Sequence, residues 1–398
     1  MRLSENVRQI EPSGTIAIAA LCRELRAKGR DVIDLGVGEP DFRTPDFIAE
    51  AGIASIQQGM TQYTPVPGIA PLREAIAKHI TTTVGKPADA AGVVVTSGAK
   101  QALFNACFTL FGPGDEVLIP APYWTSYPAL VRLARAQPKI LETTSEQGFK
   151  VSVAALEAAW SPSVRGLIIN SPSNPTGAVY TRDELAAIAA WAARRDVWII
   201  SDEIYMRICF NAARATSLLD VIDSLDRAVI IDGASKAYAM TGWRLGYSYT
   251  SKPLAEQFST VQSQITSGAS SPAQYAATAA YKDAARADGA VRAMASVFSK
   301  RRDKVLEHFR EHAPEIYCFP PDGAFYVFIR IDNYFSPLVP DSAAFCHWLL
   351  ENTDVALVPG SAFGADQYAR ISIAAPNAAL EEAVRRMGTA LRGVEVRV

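Results

Sequence analysis

A chain of 398 residues exceeds what one hydrophobic core usually supports, so two domains are expected. With 49% hydrophobic and 20% charged residues and a net charge of -2, it has the composition of an ordinary globular protein, without the basic excess of a nucleic-acid binder or the apolar run of a membrane span. Cys22, Cys107, Cys209, Cys318 and Cys346 are scattered, odd in number and never in a CxxC pair, and Met1 to Arg8 has no apolar signal core; a cytoplasmic chain without structural zinc is expected.

In chain order, a helix is predicted over 15–25 and a strand over 31–35, running into Gly36-Val-Gly-Glu-Pro-Asp-Phe42. That glycine pattern is no dinucleotide fingerprint, because the third glycine is absent and no helix opens there. Thr44-Pro45 reads as the capped start of a helix whose apolar positions are Phe47, Ile48, Ala51 and Ile56, ending at Gly59. A loop, 62–68, and a helix, 71–82, follow. From Val93 the pattern becomes regular, with strands at 93–97, 116–120, 139–144, 167–170, 197–201 and 228–231. Helices are predicted at 100–111 and 126–134, and another opens on the capping-box pair Thr181 and Glu184. Short apolar strands alternating with helices indicate a mostly parallel sheet covered on both faces, an α/β fold.

Beyond Pro253 the character changes. A helical region over 254–309, interrupted near 268–272, precedes segments 324–331, 355–358 and 369–373, which alternate as half-buried antiparallel strands. Asn377 is placed to cap a last helix carrying Leu380, Val384, Met387 and Leu391 on one face. This is a smaller α+β domain. Residues 46–285 form the large domain, and residues 1–45 and 286–398 the small one.

Ligands of open α/β sheets bind at the carboxyl ends of the strands, and several polar residues fall there. Lys236 follows the strand 228–231 in a turn of small residues, where a desolvated amine can form a Schiff base; a lone strand-end lysine also commonly snorkels to solvent. Ser235 and Arg244 are placed to hold an anion. Ser97-Gly-Ala-Lys100 opens a helix after a strand and offers backbone N–H groups to an anion, or is a plain turn. Asp202 ends the strand 197–201, where a carboxylate needs a cation such as a pyridinium nitrogen, or serves as a helix cap. Tyr205 can donate to a phenolate oxygen. Asn174 sits in the rigid loop Ser171-Pro-Ser-Asn-Pro-Thr-Gly177, and Trp124 offers a ring to stack on, unless it only packs. His308 and His312 have metal-pair spacing but lie among Arg302, Lys304 and Arg310, which reads as a solvated face; no metal is expected. Each signal is weak alone. Together they meet the requirements of pyridoxal 5'-phosphate.

With these motifs in this order, joined by Gly98-Ala-Lys-Gln-Ala-Leu-Phe104 and Gly242-Trp-Arg-Leu-Gly246, nearly the whole chain resembles fold-type I, class I/II aminotransferases. It is most similar to the bacterial aspartate aminotransferases of the thermophilic and rhizobial subgroup. The resemblance implies that Lys236 is the Schiff-base lysine and the general acid/base. It implies that Asp202 pairs with the pyridinium nitrogen, that Asn174 and Tyr205 bind the ring oxygen, and that Trp124 stacks on the ring. The backbone of Ala99 and Lys100, with Ser235 and Arg244, takes the phosphate. Tyr63 reaches the cofactor of a neighbouring subunit, which makes the protein a homodimer with shared sites. Arg370 and the Gly38 backbone take the substrate α-carboxylate beside Trp124 and Asn174, and Lys100, Ser13 and Thr15 read a second carboxylate. The implied reaction is ping-pong transfer from an L-amino acid, L-aspartate first, to a 2-oxo acid, 2-oxoglutarate first. Other aminotransferase specificities and a β-lyase are the alternatives; a non-catalytic regulator would need a DNA-binding domain for which there is no room before Ser13. Glu11 stands where the subgroup carries a lysine associated with prephenate, which argues against that substrate.

Overall fold

The computed structural model describes residues 8–10 and 14–392. Glu11 and Ser13 thus lie outside the described residues, while Thr15 falls in the helix Gly14–Ala27. Among the described residues no helix is long and apolar enough to cross a membrane.

After the short strand β1 (Ile33–Asp34) come β2 (Val93–Thr96), β3 (Glu116–Ala121), β4 (Gln137–Glu142), β5 (Val164–Asn170), β6 (Trp198–Asp202), β7 (Ala228–Gly233) and β8 (Gly246–Tyr249). Strands β2 to β8 form one seven-stranded sheet in the order β2-β8-β7-β6-β5-β3-β4. It is parallel except for β8, which runs antiparallel to both its neighbours, β2 and β7. The sequence reading lacked β8, because Gly246-Tyr-Ser-Tyr249 has no aliphatic run of the kind that marks β5 to β7. Successive strand residues face opposite sides. Leu167, Ile169, Ile199 and Ile230 join one core with Leu72, Ile188 and Ala276, and Ile168, Ile200, Val229 and Ile231 join another with Leu103, Val131 and Phe258. Helices cover both faces, which is why these strands read as unbroken apolar runs.

A second body of packing begins with β9 (Cys318–Phe319), β10 (Tyr326–Arg330), β11 (Val355–Ala356), β12 (Val358–Pro359) and β13 (Tyr368–Ser372). Four of them form an antiparallel sheet in the order β12-β13-β10-β9. The helices Ala284–His312 and Asn377–Leu391 pack Phe298, Val305, Leu380 and Met387 against Val327, Ile329 and Ile371.

Several expectations are corrected. β10 and β13 are buried on both faces except at Arg330, not half-buried, because Phe149 and Phe363 cover the side the helices leave open. The segment 355–358 splits in two, and β11 pairs in parallel with β1. The helical region breaks a second time at Asp283, whose side chain accepts from the Arg286 N–H and caps Ala284–His312. Asn377 makes no side-chain cap, since Pro376 holds that position. Thr44 does not cap Asp46–Gln57 either: its hydroxyl donates to the Ala239 carbonyl and accepts from Trp243 Nε1, partners 195 and 199 residues away. That helix buries Ile48, Gly52 and Ser55 and leaves Ile56 56% exposed. The Trp243 ring lies so close to Gly52 that a β-carbon there would sit 2.6 Å from it.

The segment Gly36–Phe42 crosses between the two bodies of packing. Arg301, on the helix Ala284–His312, clamps it by donating from Nη1 and Nη2 to the two carboxylate oxygens of Asp41 at 2.7 and 2.8 Å. Removing one partner of a largely buried, bidentate pair leaves the other charge uncompensated. Arg301→Ala is expected to cost about 3 kcal/mol, read as a lower urea midpoint; an unchanged midpoint would mean the segment is held by other contacts.

Candidate active site

In the sheet, the parallel strands end along one edge, and the antiparallel β8 begins there. The residues after β2, β3, β5, β6 and β7, and those before β8, therefore meet in one place. A cavity of about 290 Å³ opens there, lined by Gly38, Ala99, Lys100, Trp124, Asn174, Asp202, Tyr205, Ser235, Lys236, Arg244 and Arg370 among others. These are the residues the sequence singled out, with three exceptions. Ser13 is outside the described residues. The Thr15 side chain is likewise outside what is described. Tyr63 does not line the cavity; it is 99% exposed and borders a surface hollow with Gln62, Gly268 and Pro272.

Lys236 lies on a single helical turn, Ala234–Ala237, rather than in an open turn. Its Nζ points inward and donates to the Gly38 carbonyl at 2.6 Å, so it does not snorkel. Burial brings its pKa down to about 8, with Glu39 acting in the opposite direction and Arg244 and Arg370 adding to the fall.

Asp202 is buried at the end of β6. Tyr127 Oη donates to its Oδ2 at 2.6 Å, and the Ile204 N–H to its Oδ1 at 3.2 Å. Burial raises its pKa to about 6 against the lowering effect of those neutral donors. A cationic partner would restore the carboxylate to its ordinary range. The Asn174 N–H is fixed by Asn170 Oδ1 at 2.8 Å, and its own Oδ1 accepts from Arg370 Nη1 at 2.9 Å, so its amide NH₂ remains as the donor group.

Arg370 is 2% exposed and also donates from Nη2 to the Gly36 carbonyl at 2.7 Å. Among the described residues its Nε has no partner and no carboxylate lies within ion-pair reach of it. A guanidinium so deeply buried and met only by neutral acceptors is poised for an anion.

A second anion cradle forms where Arg244 approaches the helix Ala99–Leu110. The first N–H groups of a helix have no acceptor within it and attract negative charge. Arg244 holds a left-handed backbone, φ 56°, and lies over Gly98, where a β-carbon would come 2.5 Å from Nη2. Buried Ser235 completes the cradle. Lys100 Nζ stands 4.9 Å from the Trp124 ring centre, at the cavity mouth. Among the described residues four cationic side chains thus face one carboxylate in the cavity lining, a strongly anion-selective interior in a chain of slightly negative net charge.

Sequence reading missed Tyr127 and Tyr326, both in the cavity wall. Tyr127 was visible only as an aromatic one turn after Trp124, and Tyr326 as the hydroxyl-bearing ring in Gly323-Ala-Phe-Tyr326. His308 and His312 are less solvated than expected, with 16% and 31% of their side chains exposed, and Glu311 lies close to both.

Aminotransferase class I and II is the family that matches residues 30–387, and the chain belongs to it. It is 42% identical to a probable aspartate/prephenate aminotransferase of Rhizobium leguminosarum bv. phaseoli, over 97% of both chains. It is 40% identical to the aspartate aminotransferase of Geobacillus stearothermophilus, over 97% of this chain and 98% of the relative. The aspartate aminotransferase of Thermus thermophilus, solved with maleate, superimposes with a TM-score of 0.92 at 37% identity, covering 98% of this chain and all of that one.

Gly246 tests the construction of the cradle, because a β-carbon there would lie 2.3 Å from the Ala99 nitrogen, a backbone atom that cannot rotate away. Gly246→Ala is expected to weaken inorganic phosphate binding by about tenfold or more and to lower the melting temperature, measured by calorimetry and thermal melting; wild-type phosphate affinity in the variant would refute the arrangement.

Proposed function

We propose that this aminotransferase uses pyridoxal 5'-phosphate to transfer the amino group of L-aspartate to 2-oxoglutarate. The observation that carries this is Arg370, buried with an unpaired Nε in the same cavity as an inward-pointing lysine and a buried carboxylate. The cavity fits such a group: the Arg244 cradle suits a phosphate, and Asp202, held by neutral donors, suits a pyridinium N–H. When bound, the cofactor supplies an aldehyde and an electron-withdrawing ring.

The residues then divide the work. Asp202 faces the ring nitrogen, kept ionised by Tyr127. Tyr205 and the free Asn174 amide donate to the ring oxygen, and Trp124 covers a ring face. Ser235, Arg244 and the Ala99 and Lys100 N–H groups hold the phosphate. Arg370 takes the substrate α-carboxylate as a bidentate pair, with the Gly38 backbone beside it. Lys236 Nζ accepts the α-proton and returns it on the other side of the transfer. Lys100, with Ser13 and Thr15, reads the distal carboxylate, in keeping with relatives named for aspartate. Residues 46–285 hold the cofactor, and residues 1–45 and 286–398 close over the substrate. Tyr63, wholly exposed and following the exposed Ile53, Ile56 and Met60 in the chain, is proposed to reach the site of a second copy in a cytoplasmic homodimer.

Lys236→Ala is expected to abolish the near-visible absorbance of the loaded protein and its turnover; either one surviving refutes the assignment. The covalent capture of the aldehyde by cofactor-free protein should speed up as pH rises through about 8, where Lys236 becomes neutral, rather than near the ordinary lysine value of 10.5. A stopped-flow pH profile checks this. Lys100→Ala should lower kcat/KM for aspartate by about 10²-fold, the loss of one charge-assisted hydrogen bond, with alanine affected much less. Equal losses for both, or equal wild-type rates with aspartate, alanine, phenylalanine and prephenate, would remove the dicarboxylate assignment.

A further inference from the structure

Arg370 stands on β13 of the small sheet and Tyr205 just beyond β6 of the large one, and one side chain touches both. Tyr326 is fully buried on β10. Tyr326 and Phe328 pair across β10 and β13 with Ser372 and Arg370, so all four share the face turned to the cavity. The Tyr326 hydroxyl lies 2.8 Å from the Tyr205 hydroxyl. Its ring lies under the Arg370 guanidinium, 4.4 Å from Cζ. Gly38 closes over the hydroxyl: a β-carbon there would be 3.5 Å from Tyr326 Oη.

Each phenol carries one proton. In a pair of phenols, one proton is used between them and the other is free to be donated onward. Which phenol donates is decided by their surroundings. Tyr205 faces Tyr326, Arg370, Asp202, Tyr127 and Lys236. Burial raises both phenols and the Arg370 guanidinium, which lies over the Tyr326 ring, lowers both, but the Asp202 charge raises Tyr205 alone; Tyr205 is pushed up further and is the weaker acid, Tyr326 the stronger. Tyr326 is therefore the donor within the pair, and Tyr205 keeps its own proton for the cavity.

We propose that Tyr326 is a positioning residue that donates its hydroxyl proton to Tyr205, turning the Tyr205 O–H toward the ring oxygen of the bound cofactor, while its ring supports Arg370. One side chain thereby aligns the receptor for the substrate carboxylate with the donor to the cofactor. The inference rests on the cofactor reading above. A hydrogen bond received by Tyr205 strengthens the one it gives. Donation to the ring oxygen favours its anionic form, so the Lys236–cofactor unit loses its proton at lower pH when both hydroxyls are present.

The test is a pH titration of the near-visible band in protein loaded with pyridoxal 5'-phosphate, for wild type, Tyr326→Phe, Tyr205→Phe and the double variant. Tyr326→Phe should raise the midpoint by roughly half a pH unit, in the same direction as Tyr205→Phe. The double variant should rise no further than Tyr205→Phe, because Tyr326 acts through it. An unmoved midpoint in Tyr326→Phe, or additive shifts, would overturn the proposal. Succinate binding to the same proteins separates the ring from the hydroxyl. Tyr326→Phe should keep the succinate dissociation constant within about twofold, while Tyr326→Leu, which removes the support for Arg370, should weaken it by about tenfold. Weakening by Tyr326→Phe without a midpoint shift would reduce Tyr326 to packing and sink the proposal. Wild-type protein that develops no near-visible band would instead overturn the cofactor reading, and this inference would fall with it.

Discussion

Three stretches of backbone meet at a point where none has room for a side chain. A β-carbon on Gly233, at the end of β7, would lie 2.7 Å from the Gly246 Cα, and one on Gly246, at the start of β8, would lie 2.3 Å from the Ala99 nitrogen. This contact sets the distances between the lysine turn, the arginine before β8 and the first N–H groups of the helix Ala99–Leu110. Backbone in close contact is stiffer than any arrangement of long side chains. Lys236, Arg244 and the helix amides thus take their relative positions from main-chain packing. The antiparallel β8, wedged between β2 and β7, makes that packing possible.

On this frame the interior is arranged against its own stability. Lys236 is desolvated, and among the described residues Arg370 is buried with only neutral acceptors and Asp202 with only neutral donors. Each arrangement is costly in isolation. Together they describe a ligand by its negative image: anionic at two places, cationic or proton-bearing at one, and carbonyl-bearing near the amine. Departures from what folding alone would select are expected where a protein does chemistry.

The sequence made the central sheet and most of the site legible, for one physical reason. Strands buried on both faces read as unbroken apolar runs, so a polar residue just beyond a run stands out, as Asp202, Asn174 and Lys236 do. The roles of these residues came from the resemblance, since an aspartate or asparagine after a strand is equally a cap or a turn. What stayed hidden depends on distant pairing. Tyr127 meets Asp202 across 75 residues, and Tyr326 meets Tyr205 across 121. β1 finds β11 across more than 300 residues in sequence number, and neither strand is long enough to show a period. Thr44 looked like a local cap because a cap is the only local use for its hydroxyl, whereas its partners lie near residue 240. Ile56 looked like core because the helix period cannot tell which flank a neighbour will cover.

The pairing of β10 with β13 places Tyr326, Phe328, Arg370 and Ser372 on one face and Val327, Ile329, Ala369 and Ile371 on the other. The two faces have opposite duties, and the alternation between them has a period of two. Substitution here alters one contact at a time, but a change of length does not. Losing a single residue within β10 would turn valine and isoleucine toward the cavity, and losing one within β13 would drive the guanidinium into the apolar core beneath the helices. These ten residues can therefore drift in chemistry over generations but not in number, whereas exposed loops elsewhere in the chain can gain or lose residues without changing what the cavity presents.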